Sequence, residues 1–319
     1  MAPPSGLRPA TPSTSSGAAT EREDGLPDAA RTSAVQEAIL TWYQANARDL
    51  PWRRTRDPYR VLVAEVMLQQ TQVERVLPKY EQWLERFPTL PSLAEAPPAE
   101  VIRHWAPLGY NGRAVRLHGI ARMCVARFGG QLPASLPELL ELKGVGPYTA
   151  GAIACFALGQ QLAFWDTNVQ RVLSRSLLGA AEPPGPTAMQ HLADAALPPG
   201  RAYQWHQALM DLGATICRAR VPLCDACPAS PACAAYAAHR NGELRLAERR
   251  RAFSTQPFRT TSRYFRGRVV DLLREQSPRA VEDVLARLGR DDLPWLTSLL
   301  AALERDGLVR LVGGTVSLP

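Results

Sequence analysis

Leu142-Lys143-Gly144-Val145-Gly146-Pro147-Tyr148-Thr149-Ala150-Gly151, followed by Phe164-Trp165-Asp166-Thr167-Asn168-Val169-Gln170-Arg171-Val172-Leu173, is the stretch that decides the fold. Its first run sets two glycines at a tight turn just before a helix. Glycine lets the backbone come close to a phosphate, and the helix N-terminus that follows presents free N–H groups to it. Gly144-x-Gly146 alone is weak evidence, because many helix joins use such a pair. The aspartate in the second run makes the combination stronger. Asp166 stands where a helix N-cap belongs, and one carboxylate can both cap a helix and do chemistry. Lys143 is placed for a phosphate contact or for plain solvation.

Outward from this stretch, helix-like segments alternate with short breaks such as Phe87-Pro88, Pro97-Pro98 and Gly129-Gly130, with no run of alternating strands before about residue 235. The body is therefore predicted to be mainly α. Thr32-Ser33 offers a first helix cap, ahead of an apolar stripe of Val35, Ile39, Leu40 and Trp42-Tyr43. Residues 1–31, rich in Pro, Ser, Ala and Gly, suit a disordered tail. Residues 238–266 read as a basic linker. Nine arginines fall between Arg240 and Arg268 against Glu243 and Glu248, an excess equal to the whole formal net charge of +7. Such a run releases counterions from a phosphate backbone. Lysine occurs only at Lys79 and Lys143, so arginine usage is biased and charge favours nucleic acid only weakly.

Residues 267–319 show helical apolar spacing over 269–273, 281–288 and 295–303, then two apolar runs joined by Gly313-Gly314, which read as a hairpin. Three helices and a hairpin predict a winged-helix-like module, a DNA binder or equally a packing domain. No apolar run approaches the roughly 18 residues of a membrane span. The N-terminus lacks a basic patch followed by an apolar stretch, so a cytoplasmic protein is expected.

Cys217, Cys224, Cys227 and Cys233 are spaced C-x6-C-x2-C-x5-C. Four thiolates so close in the chain can wrap one metal centre, zinc or a cubane cluster, and spacing alone does not choose. A disulfide framework fits poorly without a secretion signal. Cys124 and Cys155, in apolar surroundings, read as core. Further upstream, Ala64-Glu65-Val66-Met67-Leu68-Gln69-Gln70-Thr71-Gln72-Val73 carries a single carboxylate. Glu65 is either a solvated helix residue or, among Val61, Leu62, Val63, Val66, Met67 and Leu68, an acid with a raised pKa.

Together these motifs resemble the helix-hairpin-helix, endonuclease III-like superfamily of DNA base-excision glycosylases. The Glu65–Thr71 string narrows the resemblance to the A/G-mismatch adenine glycosylases of the MutY type. The resemblance implies a two-lobed helical fold with a [4Fe–4S] cluster on Cys217, Cys224, Cys227 and Cys233, in a loop that meets DNA and includes Arg218, Arg220 and Pro222. It also implies double-stranded DNA containing a mismatch as partner, and a monomer in the nucleoid-associated bacterial cytoplasm. Excision builds positive charge on the deoxyribose, which Asp166 would stabilise or trap. Glu65 would protonate adenine at N7 and later help the attacking water. Gln70, with Thr71 beside it, would wedge into the stack opened by base flipping. Arg48, Trp52, Arg53, Leu68 and Val73 would line the adenine pocket, with Gln207 as a further base contact. Lys143, Gly144 and Gly146 would hold phosphate.

Bifunctional relatives carry a Schiff-base lysine where this chain has Tyr148. Hydrolysis with little strand cleavage is therefore expected, Tyr148 contributing a hydroxyl near the sugar and Asn168 aligning water or Asp166. The resemblance covers roughly residues 34–237. No Nudix-like domain follows, as in shortened adenine glycosylases of some bacteria, and Gly109-Tyr110-Asn111-Gly112 departs from the usual Tyr-Tyr loop. Preference for 8-oxoguanine as the opposite base is thereby left open. The alternatives are a thymine or uracil mismatch glycosylase, which generally lacks the Glu65 string, and a non-catalytic iron–sulfur DNA-binding protein, which needs neither carboxylate.

Overall fold

The computed structural model describes residues 27–244 and 257–319. Its first helix, α1 (Ala29–Asn46), begins earlier than a cap at Thr32-Ser33 predicts. Asp28 is the cap instead, its carboxylate accepting the Arg31 N–H at 2.9 Å, while the Thr32 hydroxyl donates back to the Asp28 carbonyl. A carboxylate both satisfies a free N–H and suits the positive end of the helix dipole. Residues 29–31 of the expected tail are thus helical, and residues 1–26 lie outside the described residues.

The first lobe comprises α2 (Pro58–Leu68), α3 (Val73–Arg86), α4 (Leu90–Glu95), α5 (Pro98–His104), α6 (Gly112–Phe128), α7 (Leu136–Glu141) and α8 (Pro147–Phe156). Proline stands at the first or second position of α2, α4, α5, α7 and α8, where its missing N–H would have had no helical partner. Leu62, Met67, Trp83, Trp105, Leu117 and Ile153 close the core, and Cys124 and Cys155 are buried in it as expected. The second lobe contains α9 (Thr167–Leu173), α10 (Pro186–Ala195) and α11 (Ala202–Thr215). It is completed by α1, whose Val35, Ile39 and Leu40 share a core with Val172, Leu192, Trp205 and Leu212. The chain therefore starts in the second lobe, crosses to build the first, and returns. This is the mainly α, two-lobed architecture that the sequence predicts, and both crossings run beside the cleft between the lobes.

After the short α12 (Tyr236–Arg240), residues 245–256, the centre of the expected linker with Arg245 and Arg249–Arg251, lie outside the described residues. The next helix, α13 (Ser262–Glu275), starts five residues before the expected boundary at 267, because the Thr261 side chain caps it by accepting from the Tyr264 N–H. α14 (Val281–Arg287) and α15 (Leu293–Arg305) follow. The strands β1 (Arg279–Ala280), β2 (Arg310–Val312) and β3 (Thr315–Ser317) form an antiparallel sheet in the order β1-β3-β2. Gly313 and Gly314, at φ +54° and +78°, make the two-residue turn that needs left-handed backbone at both positions. β1 has only two residues and no alternation to betray it in the sequence. Val269, Leu273, Leu300 and Val316 pack around Ile102 of α5, and Arg274 donates to the Ile102 carbonyl at 2.9 Å and to Asn111 Oδ1 at 2.8 Å. Among the described residues no helix is long and apolar enough to cross a membrane.

Candidate active site

α2 starts at a capping Asp57 and runs through an almost wholly apolar segment, so its one carboxylate is largely withdrawn from water. Glu65 is 7% exposed. Facing it is Tyr148, the second residue of α8, aimed by the hairpin before it. Gly144 there sits at φ +105°, and a Cβ would come within 2.3 Å of Arg116 Cγ, so the turn demands glycine. The Tyr148 hydroxyl donates to Glu65. Burial pushes Glu65 up to about 7, with Asp166 adding to the rise, while the Tyr148 bond and the Arg53 charge oppose it. Burial and the two carboxylates hold Tyr148 well above a phenol's usual range, so it is a neutral donor.

Asp166 caps α9, its Oδ1 accepting the N–H groups of Asn168 at 2.9 Å and Val169 at 2.8 Å. Its Oδ2 accepts from Asn168 Nδ2 at 3.0 Å. Asn168 is oriented in turn by Arg171, whose Nη2 donates to Asn168 Oδ1 and to the Gly213 carbonyl, both at 2.7 Å, and whose Nε donates to the Cys217 carbonyl at 2.8 Å. The close approach of α9 to α11 requires Gly213, where a Cβ would lie 2.7 Å from Asn168 Cβ.

One cleft of about 650 Å³ gathers Glu65, Tyr148, Asp166 and Asn168 with Arg48, Trp52, Arg53, Leu68, Gln70, Thr71, Val73 and Gln207. Trp52 is anchored edge-on against Tyr80. Lys143, Gly144 and Gly146 are not in that lining; they are exposed on the hairpin turn.

Two residues missed in the sequence organise the cleft. Asp211, fully buried, accepts from Arg53 Nη1 and Nη2 at 2.8 Å each and from Arg48 Nε at 2.6 Å. Burial alone would raise its pKa, but the two guanidiniums and the Arg48 N–H outweigh that and hold it below the usual range. Both arginines expected to line the base pocket therefore spend their charge on Asp211. A carboxylate inside the apolar run 205–212 was the available clue. Arg113, also buried, holds the turn after α2 by donating to the carbonyls of Met67 at 2.8 Å and Gln69 at 2.6 Å and to Thr71 Oγ1 at 3.0 Å. On that turn Gln70 is exposed and at φ +56°, a left-handed conformation unusual for a side-chain-bearing residue.

Cys217, Cys224, Cys227 and Cys233 carry no disulfide and line one small cavity together with Arg175. Arg175 is buried in the wider π-type turn that extends α9, Ser174–Leu178. Its Nη1 reaches Cys217 Sγ at 3.7 Å and the Arg218 carbonyl at 2.9 Å, while its Nε is buried without a partner. Among the described residues no group of three His, Cys, Asp or Glu side chains is placed to hold a single metal ion. Arg218 and Arg220, between the first two cysteines, are exposed.

Residues 63–199 match the HhH-GPD superfamily of base excision DNA repair proteins. The adenine DNA glycosylase of Mycolicibacterium smegmatis is 40% identical over 273 residues, spanning 85% of this chain and 91% of that protein. The thymine/uracil-DNA glycosylase of Methanothermobacter thermautotrophicus is 34% identical over 201 residues, 62% of this chain and 91% of that one. A solved thermostable thymine-DNA glycosylase superposes with a TM-score of 0.62 at 32% identity, covering 65% of this chain and 97% of its own. The match to the adenine enzyme continues beyond the shared two-lobed body, at higher identity, and on it the chain belongs to the adenine DNA glycosylase family of the HhH-GPD superfamily.

Proposed function

We propose that this chain hydrolyses the N-glycosidic bond of adenine mispaired with G or 8-oxoguanine in double-stranded DNA, acting as a monomer and leaving an abasic site. The observation that carries this is the pairing of two carboxylates of different character in one cleft. Glu65 is buried, bonded to a neutral phenol and pushed up to about 7, so near neutral pH it holds a proton to give. Asp166 is held in place by three N–H donors, two from the backbone and one from Asn168. Glu65 donates its proton to N7 of the adenine, which leaves with the electron pair of the C1′–N9 bond. Asp166 stabilises the positive charge left on the sugar. Water then adds to C1′ and returns its proton to Glu65. Tyr148 offers no amine for a Schiff base, so the chemistry stops at hydrolysis.

The cysteine cavity fits a [4Fe–4S] cluster. A zinc ion draws its four sulfurs in to about 2.3 Å, whereas these thiols surround a common space, and the buried Arg175 beside them brings positive charge. Cys217, Cys224, Cys227 and Cys233 would hold the cluster, which would fix the shape of the loop that carries the exposed Arg218 and Arg220.

Single-turnover base release tests the assignment on duplexes holding A opposite 8-oxoguanine, A opposite G, T opposite G and U opposite G. Alkali reveals the abasic sites, with Glu65→Gln and Asp166→Asn run beside the wild type. Adenine release that vanishes in both variants is expected. Release of only T or U would transfer the chain to the thymine/uracil branch.

A further inference from the structure

Arg113, at the start of α6, is only 4% exposed, and no carboxylate pairs with it among the described residues. Burial pushes its pKa down to about 10, with Arg116 and Arg75 adding to the fall and Tyr110 opposing it, so at neutral pH it remains a cation. A buried cation without a counter-charge is costly to a fold, and its Nε is left with no partner at all. Stability alone gives no reason for such a residue. What the guanidinium does is join two turns. Nη1 donates to the carbonyls of Val66 at 3.1 Å, Met67 at 2.8 Å and Gln69 at 2.6 Å. Nη2 donates to Thr71 Oγ1 at 3.0 Å and to the carbonyls of Leu108 and Gly109 at 3.3 Å each. One turn carries Gln70 at φ +56°, the other Tyr110 at φ +45°. Among the described residues these two alone, glycine apart, have left-handed backbone. Such backbone persists only where its surroundings hold it, and one side chain holds both.

Gln70 is exposed and lines the catalytic cleft as well as the larger one beside it, so it stands on the lip between them. An adenine that turns into the catalytic cleft leaves a gap in the base stack, and restacking wins unless a side chain fills it. Filling costs least when the backbone that carries the side chain is already fixed. We propose that Arg113 is a positioning residue for base extrusion: by stapling the Gln70 turn to the Leu108-Gly109 turn, it holds Gln70 ready to enter that gap. The proposal rests on the glycosylase assignment. It separates extrusion, which Arg113 serves, from bond cleavage, which Glu65 and Asp166 serve. The groups that act on the Glu65 proton are Tyr148, Asp166 and Arg53, and Arg113 is not among them.

The test uses the full-length protein and a duplex whose target is 2′-fluoro-adenosine opposite G, which resists excision because the fluorine disfavours charge at C1′. A 2-aminopurine next to the target brightens when the target leaves the stack. Arg113→Lys keeps the charge but not the flat fork that spans both turns. It should lower the extruded fraction on the order of tenfold, and single-turnover adenine release from the unmodified duplex in proportion. Affinity for a fully paired duplex should stay within about threefold of wild type, and the loss of rate above about pH 7 should not move. Gln70→Ala should lose about as much extrusion, and the double variant no more than either alone, because both remove one device. Thr71→Val leaves the guanidinium in place and removes one of its contacts; a loss of about threefold is expected even if Arg113→Lys proves unfolded. Wild-type extrusion in Arg113→Lys and Thr71→Val, losses that add in full to those of Gln70→Ala, or a shifted pH dependence would overturn the staple. Wild-type protein that extrudes the target but releases no adenine would sink the glycosylase assignment, with the extrusion comparison still deciding the staple. Failure of wild type to extrude at all would overturn both.

Discussion

Glu65→Gln should make the protein more stable while abolishing its chemistry, and the gain should depend on pH. The Glu65 carboxyl rises from an ordinary 4.5 to about 7, chiefly through burial. Each tenfold change in proton affinity is worth 1.36 kcal/mol, so ionising Glu65 inside the fold costs about 3 kcal/mol more than ionising it in the unfolded chain. Below pH 4.5 both states hold the proton and there is no cost. Between 4.5 and 7 the folded state keeps a proton that the unfolded chain has released, so stability falls as pH rises. Above 7 the loss is complete. Glutamine has the same shape, still accepts the Tyr148 hydroxyl and never ionises. The variant should match wild type near pH 4.5 and exceed it by about 3 kcal/mol at pH 8, equivalent to roughly 5 °C in Tm. Urea or thermal unfolding of both proteins at several pH values measures this. A variant no more stable than wild type at pH 8, or a gain that does not shrink toward pH 4.5, would refute the claim that burial governs this carboxyl.

The other predictions concern the supports of the same cleft. Single-turnover excision should fall about tenfold per pH unit above about 7, as Glu65 loses its proton, and Tyr148→Phe should move that fall to higher pH because the Tyr148 bond opposes the rise. Asp211→Asn leaves Arg53 buried beside a neutral amide and should cost about 3–5 kcal/mol in chemical denaturation. Gly213→Ala forces a methyl into Asn168; overpacking should cost about 1–3 kcal/mol, with a drop in excision rate larger than the fraction unfolded explains. Purified wild type should contain about four iron and four acid-labile sulfide per chain, and Cys227→Ser should lose both, as chemical analysis would show.

The legible parts of the site were those written in contiguous runs. Glu65 lies alone in an apolar helix, so its burial and its raised proton affinity follow from its immediate neighbours. Asp166 follows a glycine turn at a helix start, and the cysteines fall within seventeen positions of one another. What stayed hidden was pairing across the chain. Asp211 meets Arg48 from 163 residues away, and nothing near Arg48 announces that its charge is already taken. Arg113 sits beneath the Gln69-Gln70 turn, and only the packing of α6 on α2 reveals the backbone and side-chain acceptors waiting there. The first helix cap was misplaced for a local reason: Asp28 and Thr32-Ser33 are all good caps, and four residues separate them. The two-residue β1 exists only because β3 lies beside it.

α1 is made first and needed last. Its apolar stripe finds no cover until α9, α10 and α11 exist, and α11 ends about 170 residues later. At roughly 5–20 residues per second, the helix leaves the ribosome on the order of ten seconds before its partners. The first lobe, by contrast, is one unbroken span from α2 to α8 and can collapse while the rest is still being translated. The catalytic cleft thus comes into being only when the returning chain captures its own beginning and draws Arg48 and Arg53 onto Asp211. A nascent fragment lacking α11 can bring Glu65 and Tyr148 together but lacks the helix against which α9 packs to carry Asp166 to them.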